Sequence, residues 1–439
     1  MSALVRHPGG RRAPRPPVAP GEAHSPRPPR RLCRKGARGA ALLVVTVSLA
    51  VLTAFAVDLA YETRVTLQIA VNGRDELRAT AAAKGAANLA RLVLYFQNKL
   101  DAQGQAASQL NPQIAALLPR IQVWSLVPVG PMLTDALFGG GASPAAVPGP
   151  APAPGTAAAP AEGAFDARIE DEGTKVNAQL DGSSSGGLLG GQLAAYFDLV
   201  GNPKWDFLFD REDETGMKAT RNDVAINLVD WVDEDNVTSG LTGNPASPVE
   251  KAFGDENYWY DRGPDRYHAK NARFDSLDEL YLVAGVTDAF MGAFGDQLTV
   301  YLRRDVRFSI SCNDPENLVR DVRIMADPPV QPAVADPMMP ERIVKAVKDL
   351  TFGCLRMLSV QELATIAQQV GGIKVNSVYT TSSGDSRGAF GPPPGVYRIR
   401  AHGTAGQVTK TIDAVVTMDP KLLQNQIADL GRLLHWREE

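Results

Sequence analysis

The hydrophobic and polar positions near the N-terminus predict one long helix with two unlike halves. Residues 40–57 are eighteen uncharged residues, just above the roughly 17 that reach across the hydrocarbon core of a bilayer. From Asp58 to Lys99, apolar residues recur at helical spacing between charged and amide side chains. The pattern therefore predicts a transmembrane helix, with a buried soluble helix as the alternative, followed by an amphipathic extension and the start of the folded body over residues 58–138.

The remainder of the chain contains segments with helical periodicity and segments with the two-residue periodicity of strands. Residues 139–163 are rich in Pro, Ala and Gly and predict an extended loop, and residues 164–189 predict short strands. Residues 190–385 predict several short helices, and the period-two alternation within residues 386–419 predicts a strand hairpin. Residues 420–439 predict a C-terminal helix. This order indicates an α+β fold in which a large, mainly helical domain is inserted into a small antiparallel sheet.

Charge is divided sharply along the 439 residues, whose net charge is −4. Residues 1–39 hold ten Lys or Arg and one acid, a charge of +9, so the remainder carries −13. A basic flank before an apolar segment and an acidic body after it are typical of a cytoplasmic N-terminus and an exported domain. The acidic body argues against nucleic acid as a partner, because phosphate binding needs a concentrated basic face.

Three cysteines are present: Cys33 lies in the basic segment, and Cys312 and Cys354 lie in the body. Two cysteines in an exported domain have reason to form a disulfide. Buried free cysteines are also common, so both states remain open for this pair.

The junction before the apolar segment has the opposite order from a secretory signal peptide. A signal peptide places its small-residue cleavage site after the apolar core, whereas here the basic stretch from Arg34 ends on Gly39 and the apolar core begins at Ala40. This arrangement resembles a type IV prepilin or pseudopilin. The resemblance implies that residues 1–39 are a cytoplasmic leader, that prepilin peptidase cleaves after Gly39, and that Ala40 is N-methylated.

Three further segments narrow the resemblance. In order and spacing, they are similar to motifs of the general secretion pathway protein K family. The segments are residues 167–177, residues 227–236 with residues 254–260 downstream, and residues 271–285. This family is the large minor pseudopilin of type II secretion. The resemblance implies a pilin-like sheet packed on the long helix, a single-pass inner-membrane protein, and a C-terminal domain in the periplasm.

The resemblance also implies a place in the pseudopilus. Counted from Ala40, the fifth residue is Val44, where most pseudopilins carry a glutamate that pairs with the N-terminus of a neighbouring subunit. A subunit without that carboxylate has less need of a neighbour above it, because a charge in lipid must be paired. The expected role is to cap the tip and to initiate assembly of the pseudopilus that exports folded proteins across the outer membrane. The expected partners are the smaller minor pseudopilins, the major pseudopilin, prepilin peptidase and inner-membrane lipid.

Acidic residues cluster in two of these family-like segments, residues 227–236 and residues 254–260. Hard cations such as Ca²⁺ need six to eight oxygen ligands, and closely spaced acids supply several of them. The residues and the resemblance together predict a structural Ca²⁺ site, with a solvated acidic loop as the alternative. The best candidate ligands are Asp233, Asp235 and Glu256, and the further candidates are Asp230, Asn236 and Asp255.

No nucleophile elbow, zinc-protease motif or phosphate loop occurs in the sequence, and the histidines are scattered. We therefore expect the protein not to be an enzyme. Two alternatives from other functional classes are a signal-anchored periplasmic hydrolase and a membrane-tethered DNA-uptake protein.

Overall fold

The computed structural model describes residues 37–110, 121–126, 129–130, 133, 164–181, 186–209, 212, 216–244, 247–262, 265–310, 312–377, 389–419 and 430–439. The chain divides into two compact units, the first ending at Gln68 and the second running over Ile69–Glu439. The predicted leader up to residue 36 and the predicted loop at 139–163 lie outside the described residues.

Helices and strands follow one another in the order expected of an α+β protein. The helices are α1 (Ala37–Leu110), α2 (Val123–Leu126), α3 (Gly186–Val200), α4 (Asp206–Phe209), α5 (Arg221–Val232), α6 (Asp288–Phe294), α7 (Pro315–Met325), α8 (Met339–Leu350) and α9 (Val360–Gln369). The strands are β1 (Ala164–Asp171), β2 (Val176–Asn177), β3 (Val237–Leu241), β4 (Val249–Asp255), β5 (Leu298–Thr299), β6 (Val396–Ala405), β7 (Val408–Thr417) and β8 (Arg432–Glu438).

Helix α1 confirms the predicted long N-terminal helix and is continuous through Gly73 and Gly85. No proline interrupts its 74 residues, and alanine and leucine, both strong helix formers, are frequent in it. Within the described residues, its Ala40–Gly104 stretch is long and apolar enough to cross a membrane, and the most apolar part of that stretch has no buried residue.

The main sheet has the strand order β1-β6-β7-β8, and each neighbouring pair is antiparallel. Strands β6 and β7 form the predicted hairpin. The helices α3 to α9 fall between β1 and β6 in sequence, although these two strands are adjacent in the sheet. The helical domain is therefore inserted between neighbouring strands, which confirms the predicted fold class.

The second half of α1 packs against one face of this sheet. Alternate β6 residues such as Ile399 and Ala401 share a hydrophobic cluster with a run of α1 alanines that includes Ala83 and Ala90, all fully buried. A close approach occurs at Gly403, where an added Cβ would lie 2.2 Å from the Ala79 carbonyl oxygen. The helix and strand backbones thus touch directly, which a side chain at this position would prevent.

The other face of the sheet carries a buried group of charges where it meets the helical domain. The Glu172 carboxylate is fully buried and accepts from Arg398 Nε at 2.7 Å and from Lys175 Nζ at 2.8 Å. Burial alone would raise the pKa of Glu172, but the two cations hold that pKa at about 2. Asp171, also buried, has no such cation on its carboxylate; its Oδ2 accepts from Ser309, and burial raises its pKa to about 6.

The predicted C-terminal helix at 420–439 is wrong over its last residues, because Arg432–Glu438 forms β8 along the edge of β7. Residues 420–429 lie outside the described part of the chain. Gly431 has a φ of +73°, a left-handed conformation that a helix interior does not contain. Immediately after it, the chain pairs with the free edge of β7, and Trp436 packs against the α1–sheet cluster.

Cys312 and Cys354 form a disulfide, with their sulfur atoms 2.12 Å apart. The bond joins the segment before α7 to the turn after α8 and spans 42 residues of sequence. Both cysteines are buried. The bond therefore ties together two parts of the helical domain at its core.

Candidate metal centre

The acidic segment begins at the end of α5. A capping box between Thr220 and Asp223 fixes the first turn of this helix. Asp230 lies in its last turn, and Asp233 is its C-terminal capping residue. Asp230 is buried because α5 packs its apolar face, including Trp231, into the core of the helical domain.

The β3–β4 hairpin brings the second acidic segment to the first. Val237, at the start of β3, pairs with Asp255, at the end of β4. Glu256 follows at once in a short 3₁₀ helix, with its backbone fixed by the Asp255 carboxylate, which accepts from the Asn257 amide at 3.0 Å. Two segments about twenty residues apart in sequence thus become neighbours in space.

Carboxylate oxygens of Asp230, Asp233 and Glu256 lie within 4.8 Å of one another. Asp230 is 3% exposed and Glu256 is 5% exposed. Both oxygens of Glu256 and Oδ1 of Asp233 are buried without a hydrogen-bond partner in the described structure, whereas Oδ1 of Asp230 accepts from the Ser239 amide at 2.9 Å. Most buried polar atoms in proteins have a partner, so this group of unsatisfied acceptors needs an explanation.

Burial raises the pKa of all three groups, and nearby acidic charges add to the rise. Burial and then the charges of Asp233 and Asp230 raise the pKa of Glu256 to about 8. Burial, Asp230 and Asp235 raise the pKa of Asp233 to about 7. Burial raises the pKa of Asp230 to about 6, although the hydrogen bond from Ser239 opposes the rise. Carboxylates this crowded are stabilised either by protons or by a cation among them.

The structure does not bring every predicted ligand into this group. Asp235 forms an ion pair with Lys251 and accepts from the Val237 amide at 3.0 Å. Asp255 caps the turn that carries Glu256, and Oδ1 of Asn236 accepts from Asn271 Nδ2 at 2.9 Å. Of the three best candidates, Asp233 and Glu256 lie in the group, and Asp230 takes the place expected for Asp235.

One oxygen that the sequence did not single out also stands at this loop. Oδ1 of Asn271 is buried and has no hydrogen-bond partner among the residues that the structure describes. Asn271 has a φ of +49°, a left-handed conformation that asparagine tolerates better than most residues. A lone asparagine after a charged loop carries no sequence signal for this role, because the contact depends on tertiary structure.

Three of the aromatic residues beside the site, Trp231, Tyr260 and Phe274, are part of the core. The Trp231 ring stacks on Phe274, with their centroids 6.1 Å apart, and meets the Tyr260 ring edge-on. Tyr258 is half-exposed, and the Arg262 guanidinium lies 4.5 Å from the centroid of its ring. These contacts hold the acidic segments in place and leave the carboxylates as the chemically distinctive feature.

No family model matches this chain, and no curated protein matches it. Among solved structures, the chain is similar to the crystal structure of the GspK-GspI-GspJ complex from the enterotoxigenic Escherichia coli type 2 secretion system. The identity is 13%, the match covers 63% of this chain and 80% of that chain, and the TM-score is 0.31.

Proposed function

We propose that this protein is a minor pseudopilin of a type II secretion system, held in the inner membrane by residues 40–57 with its C-terminal domain in the periplasm. The observation that carries the proposal is the difference in side-chain exposure between the first and the later part of α1. Its first part exposes large apolar side chains, such as Leu42 at 68% and Phe55 at 69%, whereas its later part buries a run of alanines against the sheet. Such a helix suits a protein that anchors with one half and folds its own domain around the other.

The Gly39–Ala40 junction supports cleavage after Gly39 and N-methylation of Ala40. Both residues lie within the first turn of α1, so removal of the leader would leave the apolar segment as a helical N-terminus. The mature helix would then pack with smaller minor pseudopilins and with the major pseudopilin. Prepilin peptidase is the enzyme proposed to process the leader.

Position at the tip of the pseudopilus, and initiation of its assembly, form the finer part of this proposal. Val44 supplies no carboxylate to pair with the N-terminus of a subunit above. The helical domain inserted between β1 and β6 adds bulk that a repeating filament position would have to accommodate at every step. Both features favour a subunit with neighbours below it and none above.

The Gly39→Val variant is expected to stay unprocessed, because a branched side chain replaces the small residue at the cleavage site. Co-expression with prepilin peptidase, followed by mass spectrometry, should give a wild-type N-terminus at methylated Ala40 and a full-length G39V chain. The matched control, Gly36→Val, should be processed normally. Wild-type protein that retains its first 39 residues, or G39V that loses them, would refute the proposal.

We also propose that Asp230, Asp233 and Glu256 hold a structural Ca²⁺. The support is the pair of unsatisfied oxygens on Glu256, which is 5% exposed and directs its carboxylate to the two aspartates. Carboxylate oxygens are the ligands that Ca²⁺ prefers. A bound cation would neutralise the repulsion among the three groups and would fix the base of the β3–β4 hairpin to the end of α5.

Removal of Ca²⁺ is expected to destabilise the periplasmic domain. With free Ca²⁺ at 100 times its Kd, binding adds about 2.7 kcal/mol to the free energy of unfolding, so excess chelator should lower the Tm measurably. Glu256→Gln should abolish this dependence on chelator, whereas Glu250→Gln, at an exposed position on β4, should retain it. An unchanged wild-type Tm in chelator, together with no metal by elemental analysis, would eliminate the site.

A further inference from the structure

Two consecutive residues, Asn271 and Ala272, contact both ends of the segment that carries Asp233. At the start of the loop, the Ala272 amide donates to the Trp231 carbonyl at 3.3 Å. At its end, Asn271 Nδ2 donates to the Asp235 carbonyl and to Asn236 Oδ1. Asn271 and Ala272 therefore clamp residues 231–236, although they belong to a different segment of the chain.

These contacts fix the orientation of the Asn271 amide. A backbone carbonyl can only accept, so the group that faces the Asp235 carbonyl must be the NH₂ of the asparagine. Both N–H donors of that NH₂ are used, one on the Asp235 carbonyl and one on Asn236 Oδ1. The side-chain oxygen is left on the opposite side, buried and without a hydrogen-bond partner in the described part of the chain.

Four unsatisfied side-chain acceptors lie at this loop among the described residues. They are Oδ1 of Asn271, Oδ1 of Asp233 and both oxygens of Glu256, whereas the unsatisfied Nε1 of Trp231 is an indole donor. Acceptors cannot satisfy one another, and buried acceptors without a partner destabilise the folded protein. A hard cation satisfies carboxylate and amide oxygens at once, and Ca²⁺ commonly combines the two.

We propose that the side-chain oxygen of Asn271 is a fourth protein ligand of the cation held by Asp230, Asp233 and Glu256. This inference rests on the Ca²⁺ site proposed above and names one more residue of it. The left-handed backbone of Asn271 suits the role, because asparagine combines a carbonyl oxygen with tolerance of positive φ. The same side chain thus serves as clamp on one side and as ligand on the other.

Europium luminescence can distinguish whether Asn271 is a metal ligand or only holds the loop in place. Lifetimes of Eu³⁺ bound to the full-length protein in detergent, compared in H₂O and D₂O, count the water molecules on the ion. In Asn271→Gly, which tolerates the backbone conformation, loss of the oxygen should add about one water and weaken Ca²⁺ binding ~10-fold or more. In Asn271→Asp, an oxygen remains, so the water count should equal that of the wild type.

The matched control is Asn236→Ala, which removes one acceptor of the clamp and leaves the Asn271 oxygen in place. Its water count should also equal that of the wild type. Weaker Ca²⁺ binding by Asn271→Gly with an unchanged water count would mean that Asn271 is only a clamp, and would overturn the inference. Wild-type protein that binds neither Eu³⁺ nor Ca²⁺ would overturn the Ca²⁺ site itself, a separate result from the same measurement.

Discussion

Replacing Arg398 by methionine is expected to lower the free energy of unfolding by about 3–5 kcal/mol, because it leaves a buried carboxylate short of a partner. Glu172 has no exposed surface, and Arg398 is 5% exposed. The remaining cation, Lys175, contacts the same Glu172 oxygen that Arg398 Nε contacts, Oε1. Denaturant unfolding of the full-length protein in detergent would measure the loss.

The control for this variant lies on the same strand. Arg400→Met removes an ion pair with Asp296, whose side chain is 82% exposed, and should cost no more than about 1 kcal/mol. Equal losses for the two variants would contradict the role assigned to the buried pair.

The buried pair also predicts a pH dependence. The pKa of Glu172 is about 2 in the folded protein against a usual 4.5, so its contribution to stability is full above pH 4.5 and is lost as the pH falls towards 2. The difference between wild type and Arg398→Met should therefore be largest near neutral pH and should shrink below pH 4.5. A difference that stayed constant from pH 7 to pH 3 would contradict this mechanism.

Replacing Gly403 by alanine is expected to destabilise the protein by about 3 kcal/mol, at the upper end of what overpacking costs. The new Cβ would lie 2.2 Å from the Ala79 carbonyl oxygen and 2.4 Å from the Ala83 amide nitrogen. Backbone atoms of a packed helix cannot move aside as a flexible side chain can. The helix and strand would have to separate, which opens the cluster between α1 and the sheet.

A glycine-to-alanine substitution within α1 supplies the control. Gly85 lies in α1 with nothing within 4 Å of an added Cβ, so Gly85→Ala should stabilise the helix by up to ~1 kcal/mol. Denaturant midpoints for the two variants should therefore move in opposite directions from that of the wild type. A Gly403→Ala protein as stable as the wild type would show that the two backbones are not in fixed contact.

The sequence was sufficient to predict the elements whose hydrophobic pattern fits only one kind of secondary structure. The uncharged run from Ala40 and the period-two alternation of β6 and β7 predicted α1 and the hairpin, and both are confirmed. The last segment had two readings, because Leu433, Leu434 and Trp436 fit a helical face as well as a strand. The free edge of β7 and the left-handed Gly431 decide between them, and both are tertiary or conformational facts.

The same limit applies to the candidate metal centre. Local spacing predicted an acidic site around Asp233 and Glu256, and the structure brings their oxygens together. Local spacing could not show that Asp230 belongs to the site and Asp235 does not. Asp235 pairs instead with Lys251, sixteen residues further on, and the register of the hairpin brings these two residues together. Asn271 belongs to another segment entirely, so its contact with this loop was beyond any local pattern.

The β3–β4 hairpin offers a position at which this protein could be labelled. Its base is closed by the pairing of Val237 with Asp255, next to the acidic group, whereas the pairing of Leu241 with Val249 lies at its other end. Residues added beyond the Leu241–Val249 pair would lie at the end of the hairpin away from the acidic group, and exposed loop ends are where chains tolerate insertions best. A fluorophore or an epitope inserted there would therefore label the protein without touching its buried core.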